Sequence, residues 1–157
     1  MIKKIKDYCV MGHGLCQIFV VEDHPVMRGT LVEFLEVAGG MEVCGTAESA
    51  EEALEEIPSA NPTLILLDLS LPDGDGYTLV REIQERWSLP CIVLTGQGGR
   101  EAVDRAFESG AAGFLRKGRP WEIPEALRRV AGGERYLSEL PDPELGAQDQ
   151  EPFDPGR

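Results

Sequence analysis

The stretch LILLDLSLPDGDG (residues 64–76) decides the fold of this chain. Its opening run is apolar, short and without period-two polarity, which reads as a strand covered on both faces. The run ends on Asp68 and passes at once into a cluster of Pro, Asp and Gly, the composition of a turn. A carboxylate where a buried strand surfaces either caps the next element or is a reactive group held at the mouth of a sheet. Taken alone, Asp68 is open to both readings, and the rest of the chain separates them.

Similar short apolar runs recur at IFVV (18–21), MEVCGTA (41–47), CIVLT (91–95) and GFLR (113–116). Helical patterns lie between them. Residues 26–39 place Val26, Leu31, Phe34 and Leu35 at helix-like spacing, with Gly39 or Gly40 as the stop. Residues 49–57 open on Ser49 with Glu52 three positions later, a capping-box pattern. Residues 75–87 pack through Leu79, Val80 and Ile83, and residues 100–110 through Val103, Ala106 and Phe107, ending at Gly110. Residues 120–133 present Ile123, Leu127 and Val130, with Pro120 and Pro124 early, where helices tolerate proline. Five strands alternating with five helices predict an α/β, doubly wound parallel sheet of order 2-1-3-4-5. Its reactive crevice is expected at the carboxyl ends of strands one and three.

The chain of 157 residues divides by pattern into a leader (1–17), a folded domain (18–138) and a tail (139–157). The leader opens on a basic segment that imitates a signal peptide, but Asp7, His13 and Gln17 interrupt any apolar core. The tail is Pro-rich and acidic: residues 138–157 hold six acids against one Arg, a composition expected to stay disordered. The formal charge of −13 argues against sequence-independent binding to a phosphate backbone. Cys44 and Cys91 lie inside strand-like runs, where a free thiol behaves as a small hydrophobe. Cys9, His13 and Cys16 are too few for a closed zinc shell. With no disulfide framework and no run of the ~20 apolar residues a membrane span needs, the expected compartment is the cytoplasm, away from membranes.

The residues at the strand ends carry the chemistry. Glu22 and Asp23 follow the first strand, Asp68 ends the third, Thr95 ends the fourth and Lys117 follows the fifth. Crowded carboxylates raise one another's pKa unless a cation sits among them. Acidic oxygens with room for water suit Mg²⁺, and Mn²⁺ is an alternative occupant. A metal there would let a phosphoryl group approach Asp68, whose carboxylate can act as nucleophile to form an aspartyl phosphate. Thr95 is placed to hydrogen-bond one phosphoryl oxygen, and the Lys117 ammonium to neutralise another.

VVEDHPVMR (20–28), LILLDLSLPDGDGY (64–77), IVLTGQG (92–98) and GAAGFLRKG (110–118) together resemble the receiver domain of two-component response regulators. The likeness runs from about Gln17 to Leu137, with EDHPVMR and GERYLS similar to the NarL/LuxR-type subgroup. It implies the flavodoxin-like receiver fold, Asp68 as phosphoacceptor, and Mg²⁺ held by Asp23, Glu22, Asp68 and the backbone carbonyl of Ser70. It further implies Thr95 and Lys117 as sensors of the phosphoryl group and Phe114 as an aromatic switch. Pro72, Asp75 and Gly76 match the loop into the third helix, with Asp73 and Asp75 serving the turn and that helix's start. Gly96 leaves room for a phosphodonor, and Gly96 and Gln97 flank the site. His24 reads as a polar residue at a helix start. Two departures stand out: Glu22 where many members have Asp, and Gly118 where many have Pro, for which a trans bond is expected.

The implied function is a phosphorylation-controlled switch. A sensor histidine kinase or phosphotransfer protein would donate the phosphoryl group. The face of the fourth helix, fifth strand and fifth helix, with Arg100, Arg105, Arg116 and Arg119, would then engage a protein effector or a second copy. Such a protein is no enzyme beyond its own phosphorylation and dephosphorylation. A competing reading is the receiver part of a NarL/LuxR-type DNA-binding regulator. Residues 141–157 have neither the length nor the charge of a helix-turn-helix reader, so direct DNA binding by this chain is not expected. A remoter reading is an aspartyl-phosphate phosphohydrolase, but the haloacid-dehalogenase type needs a second Asp where Ser70 stands.

Overall fold

The computed structural model describes residues 16–96 and 99–138. The chain runs β1 (Cys16–Val21), α1 (Pro25–Ala38), β2 (Met41–Ala47), α2 (Ala50–Ala60), β3 (Leu64–Asp68), β4 (Ser70–Leu71), β5 (Gly74–Asp75), α3 (Gly76–Trp87), β6 (Cys91–Thr95), α4 (Arg100–Glu108), β7 (Gly113–Arg116), a 3₁₀ turn (Pro120–Glu122), α5 (Ile123–Ala131) and β8 (Tyr136–Leu137). The main sheet has the order β2-β1-β3-β6-β7-β8 with every pairing parallel. Its first five strands have the expected 2-1-3-4-5 order. A sixth, β8, is added at the edge, where Tyr136 pairs with Gly113 and Leu137 with Phe114. Two residues between a glycine pair and the tail carry no periodicity of their own, so only the pairing reveals the strand.

Side chains alternate across the sheet, and each face has its own core. On one face Phe19, Val21, Ile65, Leu67, Val93 and Phe114 pack under α2, α3 and α4 through Ala53, Ile57, Leu79, Val80, Ile83, Val103 and Ala106. On the other, Ile18, Val20, Leu64, Leu66, Ile92, Leu94 and Leu115 meet α1 and α5 through Leu31, Leu35, Ile123, Ala126, Leu127 and Val130. Burial on both faces is why these strands read as unbroken apolar runs. β1 starts at Cys16, two residues ahead of IFVV, because the Cys16 and Gln17 backbones pair with Met41 and Glu42. The remainder of the leader, with Cys9 and His13, and the tail beyond Ser138 lie outside the described residues.

Helix boundaries follow local chemistry, with corrections. His24 is the N-cap of α1, its Nδ1 accepting from the Met27 N–H at 3.5 Å. Val26 and Phe34 do not join the core: Val26 is 73% exposed and Phe34 37%, so α1 is held through Leu31 and Leu35. Ser49 caps α2 through the Glu52 N–H at 3.1 Å, while Glu52 Oε1 accepts from the Glu48 N–H at 2.6 Å. That helix continues beyond Ile57 through Pro58 to Ala60, and Asn61 closes it in the left-handed conformation with its N–H on the Ile57 carbonyl. In α4, Val103 and Ala106 are buried whereas Phe107 is only partly covered. Gly110 ends the helix region at φ +109°, as its role of terminator requires.

Candidate functional site

β1, β3, β6 and β7 deliver their carboxyl ends to one edge of the sheet. Val21 pairs with Leu67, Asp68 with Leu94 and Thr95 with Arg116, so the residues at and just after these ends converge. Because β1 and β3 are neighbours whose connections leave in opposite directions, a crevice opens between them, the usual position of a ligand site in such sheets.

In this crevice Lys117 joins two acids. Its Nζ lies 3.0 Å from Asp68 Oδ2 and 3.3 Å from Glu22 Oε1. Glu22 is 1% exposed and Asp68 4%, so both carboxylates are nearly withdrawn from water. The second oxygen of each is held by the backbone: Asp68 Oδ1 accepts from the Ser70 N–H at 3.0 Å, and Glu22 Oε2 from the His24 N–H at 3.2 Å. Arg28, one turn into α1, donates from Nη1 to the Glu22 carbonyl at 2.9 Å. The Lys117 N–H donates to the Thr95 carbonyl at 2.9 Å, which ties the ends of β6 and β7. Thr95 is buried at the same edge.

The electrostatics follow from that crowding. Burial pushes the Glu22 carboxyl above its ordinary range, and the neighbouring Asp68 charge pushes it further. Burial pulls the Lys117 ammonium down, yet its hydrogen bond to Asp68 and the charges of Asp68 and Glu22 more than compensate, so its pKa is raised. Lys117 therefore carries its charge throughout the neutral range.

One carboxylate oxygen from each of Glu22, Asp23 and Asp68 lies within 4.8 Å of the other two. Glu22 Oε1 is buried and lacks a hydrogen-bond partner of good geometry. Hard anionic oxygens with an under-satisfied member match the donor preference of Mg²⁺, so the residues present fit the metal. Ser70, offered through its carbonyl, lies in β4 beside Asp68. Glu22, with its longer side chain than Asp, still reaches Lys117, and among the described residues no peptide bond is cis, that preceding Gly118 included.

The remaining site residues fall as follows. Phe114 is fully buried under the α4 side of the sheet, in an inward position. Gly96 lies exposed at the rim, where an added Cβ would meet, among the described residues, Lys117 Cδ at 3.9 Å. Gln97 lies outside the described residues. Asp75 caps α3, its Oδ1 accepting from the Thr78 N–H at 2.7 Å. Asp73 differs from expectation. Its two oxygens accept from the Ala50 and Glu51 N–H groups of α2 at 2.9 and 3.0 Å, so it serves a helix more than twenty residues away. Of the arginines, Arg105 stacks over the Tyr77 ring at 4.1 Å, and Arg119 pairs with Glu122 at 2.6 Å. Sequence reading also missed Arg28 and the necessity of Gly76. A Cβ on Gly76 would stand 2.7 Å from Leu69 Cα and 3.0 Å from the Asp68 carbonyl oxygen. The signal for Gly76 is its place after an Asp that caps a helix; for Asp73 no local signal exists.

Comparison with known proteins agrees with this geometry. The family model described as response regulator receiver domain matches residues 18–128. The DNA-binding transcriptional activator DevR/DosR of Mycobacterium tuberculosis is 35% identical over 125 residues, covering 78% of this chain and 58% of that protein. The nitrate/nitrite response regulator protein NarL of Escherichia coli is 33% identical over 132 residues, 83% of this chain and 61% of its own length. This chain thus spans about three-fifths of those relatives. A LuxR-family two-component response regulator from Aurantimonas sp. superposes with a TM-score of 0.76 at 26% identity, over 88% of this chain and 99% of its own. Fold, strand-end acids and family match converge, and the chain belongs to the response regulator receiver domains, with relatives of the NarL/LuxR type.

Proposed function

We propose that this domain accepts a phosphoryl group on Asp68 from the phosphohistidine of a sensor kinase or phosphotransfer protein in the cytoplasm, and relays the change through the α4–β7–α5 face. The observation that carries the reading is Asp68 Oδ2 lying 3.0 Å from Lys117 Nζ in a crevice that also gathers Glu22 and Asp23.

The Asp68 carboxylate oxygen forms the new bond to phosphorus as the bond from phosphorus to the donor imidazole nitrogen breaks. The electron pair leaves with the imidazole. Lys117 stays protonated and exchanges its contact with the Asp68 charge for one with a phosphoryl oxygen. Thr95, buried at the end of β6, donates its hydroxyl to another phosphoryl oxygen. Glu22, Asp23, Asp68 and the Ser70 carbonyl would hold Mg²⁺, which supplies neutralisation of the negative charge gathered there. Phe114, buried beside the Lys117 loop, and the arginines of α4 and β7 belong to the face that would report the change to an effector or a second copy.

The test is intact-mass measurement after incubation with acetyl phosphate and Mg²⁺. One labile phosphoryl group is expected on the wild type and none on Asp68→Asn. An unmodified wild type, or label persisting in the variant, overturns the assignment. A second reading has its own observation: the DevR/DosR relative is a DNA-binding activator and exceeds this chain in length. In that reading the same switch governs a DNA-binding part of a longer protein. A phosphorylation-dependent gel shift by a longer protein that carries this domain would favour it, and its absence there the protein-directed output.

A further inference from the structure

Two loops bring the acids of the crevice together: one carries Glu22 and Asp23 after β1, the other follows Asp68. Lys117 links Glu22 and Asp68 from inside the pocket. On the outside, both loops are fastened to the junction between β2 and α2. The Glu22 N–H donates to the Ala47 carbonyl at 2.9 Å. Three residues further on, the Ala50 N–H donates to Asp73 Oδ1 at 2.9 Å, and the Glu51 N–H to Asp73 Oδ2 at 3.0 Å.

The loop after Asp68 needs such a tether. Residues 72–75 are exposed, and β4 and β5 share two residue pairs, Ser70 with Asp75 and Leu71 with Gly74. A hairpin of that size is marginal in water. Its base is held by the Gly76 N–H on the Leu69 carbonyl at 2.9 Å, and its middle by the buried Leu71. At its tip, among the described residues, Asp73 is the side chain that reaches another element. The bond is strong for its kind: an anion accepting two backbone N–H groups at the positive end of a helix. Those two hydrogen bonds hold the Asp73 carboxyl below its ordinary range, so it is ionised wherever the domain is folded at neutral pH. Ser49 and Glu52 cap the same helix end at the Glu52 and Glu48 N–H groups, so Asp73 adds to a cap already built within α2's own segment.

We propose that Asp73 is a positioning residue for the crevice. By holding the turn after Asp68 onto the start of α2, it sets the spacing of Glu22 and Asp68 and thereby the affinity of the acids for a divalent cation and the reactivity of Asp68. The second half of this statement rests on the phosphoacceptor reading above; the first does not. The mechanical route is short. Ser70, whose N–H orients Asp68 Oδ1, stands three residues from Asp73 within the same small hairpin.

The experiment compares wild type with Asp73→Ala, Asp73→Asn and Ser49→Ala. Mg²⁺ affinity is measured by calorimetry, labelling by acetyl phosphate through intact mass, and stability through thermal melts. Asp73→Ala is expected to weaken Mg²⁺ binding about tenfold, the low end for residues that orient metal ligands, and to slow labelling. Asp73→Asn, with one oxygen for two N–H groups, should fall between. Ser49→Ala removes a cap from the same helix without touching the hairpin, so it should lower the melting temperature and leave Mg²⁺ affinity unchanged. Wild-type affinity in Asp73→Ala, or equal losses in Asp73→Ala and Ser49→Ala, would reduce Asp73 to a helix cap and overturn the proposal. A wild type that binds Mg²⁺ yet is never labelled refutes the phosphoacceptor reading, and the affinities alone then decide on Asp73.

Discussion

At Gly76 a missing methyl group determines where Asp68 can stand. The Cβ of any other residue would lie 2.7 Å from Leu69 Cα and 3.0 Å from the Asp68 carbonyl oxygen. Both are backbone atoms, so relief requires moving the end of β3 itself. Gly76→Ala is expected to cost about 1–3 kcal/mol through overpacking and to lower the rate of Asp68 labelling. Gly74→Ala, where nothing among the described residues lies within 4 Å of the added atom, should stay within about 0.5 kcal/mol of wild type. Urea unfolding of the pair checks this, and equal stabilities would refute it. The candidate-site residues Asp68, Asp23, Thr95 and Lys117 were legible in the chain because each sits at or beside the end of an apolar run. Gly76 was legible as a loop residue, but its close approach to Leu69 exists only once the chain has turned back.

Among the elements, β8 was not foreseen, and its attachment shows why. Its backbone bonds, the Tyr136 N–H to the Ala112 carbonyl at 3.0 Å and the Ser138 N–H to the Phe114 carbonyl at 2.8 Å, are few for a strand. A side-chain cluster supplements them. Glu122, at the end of the 3₁₀ turn, accepts from the Tyr136 hydroxyl at 2.7 Å and the Ser138 hydroxyl at 2.8 Å, and forms an ion pair with Arg119 Nε at 2.6 Å. Burial works to raise the Glu122 pKa, but the bonds from Tyr136 and Ser138 and the Arg119 charge prevail and lower it. Burial and the bond to Glu122 raise the Tyr136 phenol to about 12. A carboxyl lowered in the folded state contributes stability that is fully present above its unfolded value, near 4.5, and lost as pH falls through the folded value. Glu122→Gln is therefore expected to cost about 2 kcal/mol at pH 7 by leaving buried donors unpaired, with the difference shrinking in acid. Urea unfolding at both pH values tests the sign, and a pH-independent difference would contradict it. The same substitution should speed hydrogen exchange at Tyr136 and Ser138 while the β3 amides stay protected.

For the molecule as a whole, folding and the crevice are linked, because the acids meet only when β1, β3 and β7 are in register. A cation bound by Glu22, Asp23 and Asp68 must stabilise the entire domain, by ~2.7 kcal/mol at a hundredfold excess over its Kd. Mg²⁺ is accordingly expected to raise the melting temperature by roughly 5–10 °C for a domain of this size, reversibly with chelator. Asp23→Asn combined with Asp68→Asn should remove most of that rise; a shift that survives the double substitution would place the cation elsewhere. The sequence by itself determined the alternation of strands and helices, the order of the first five strands and the polar residues gathered at the strand ends. Those follow from local rules: runs buried on both faces, helical spacing, caps, and the topology of parallel crossovers. Only the tertiary structure decided that β8 joins the edge, that Asp73 holds α2, that Arg28 reaches the Glu22 carbonyl and that Val26 and Phe34 of α1 stay outside the core. Each of these is a contact between residues without a periodic relation in the chain, or the failure of one, and is set by how elements stack once the sheet has formed.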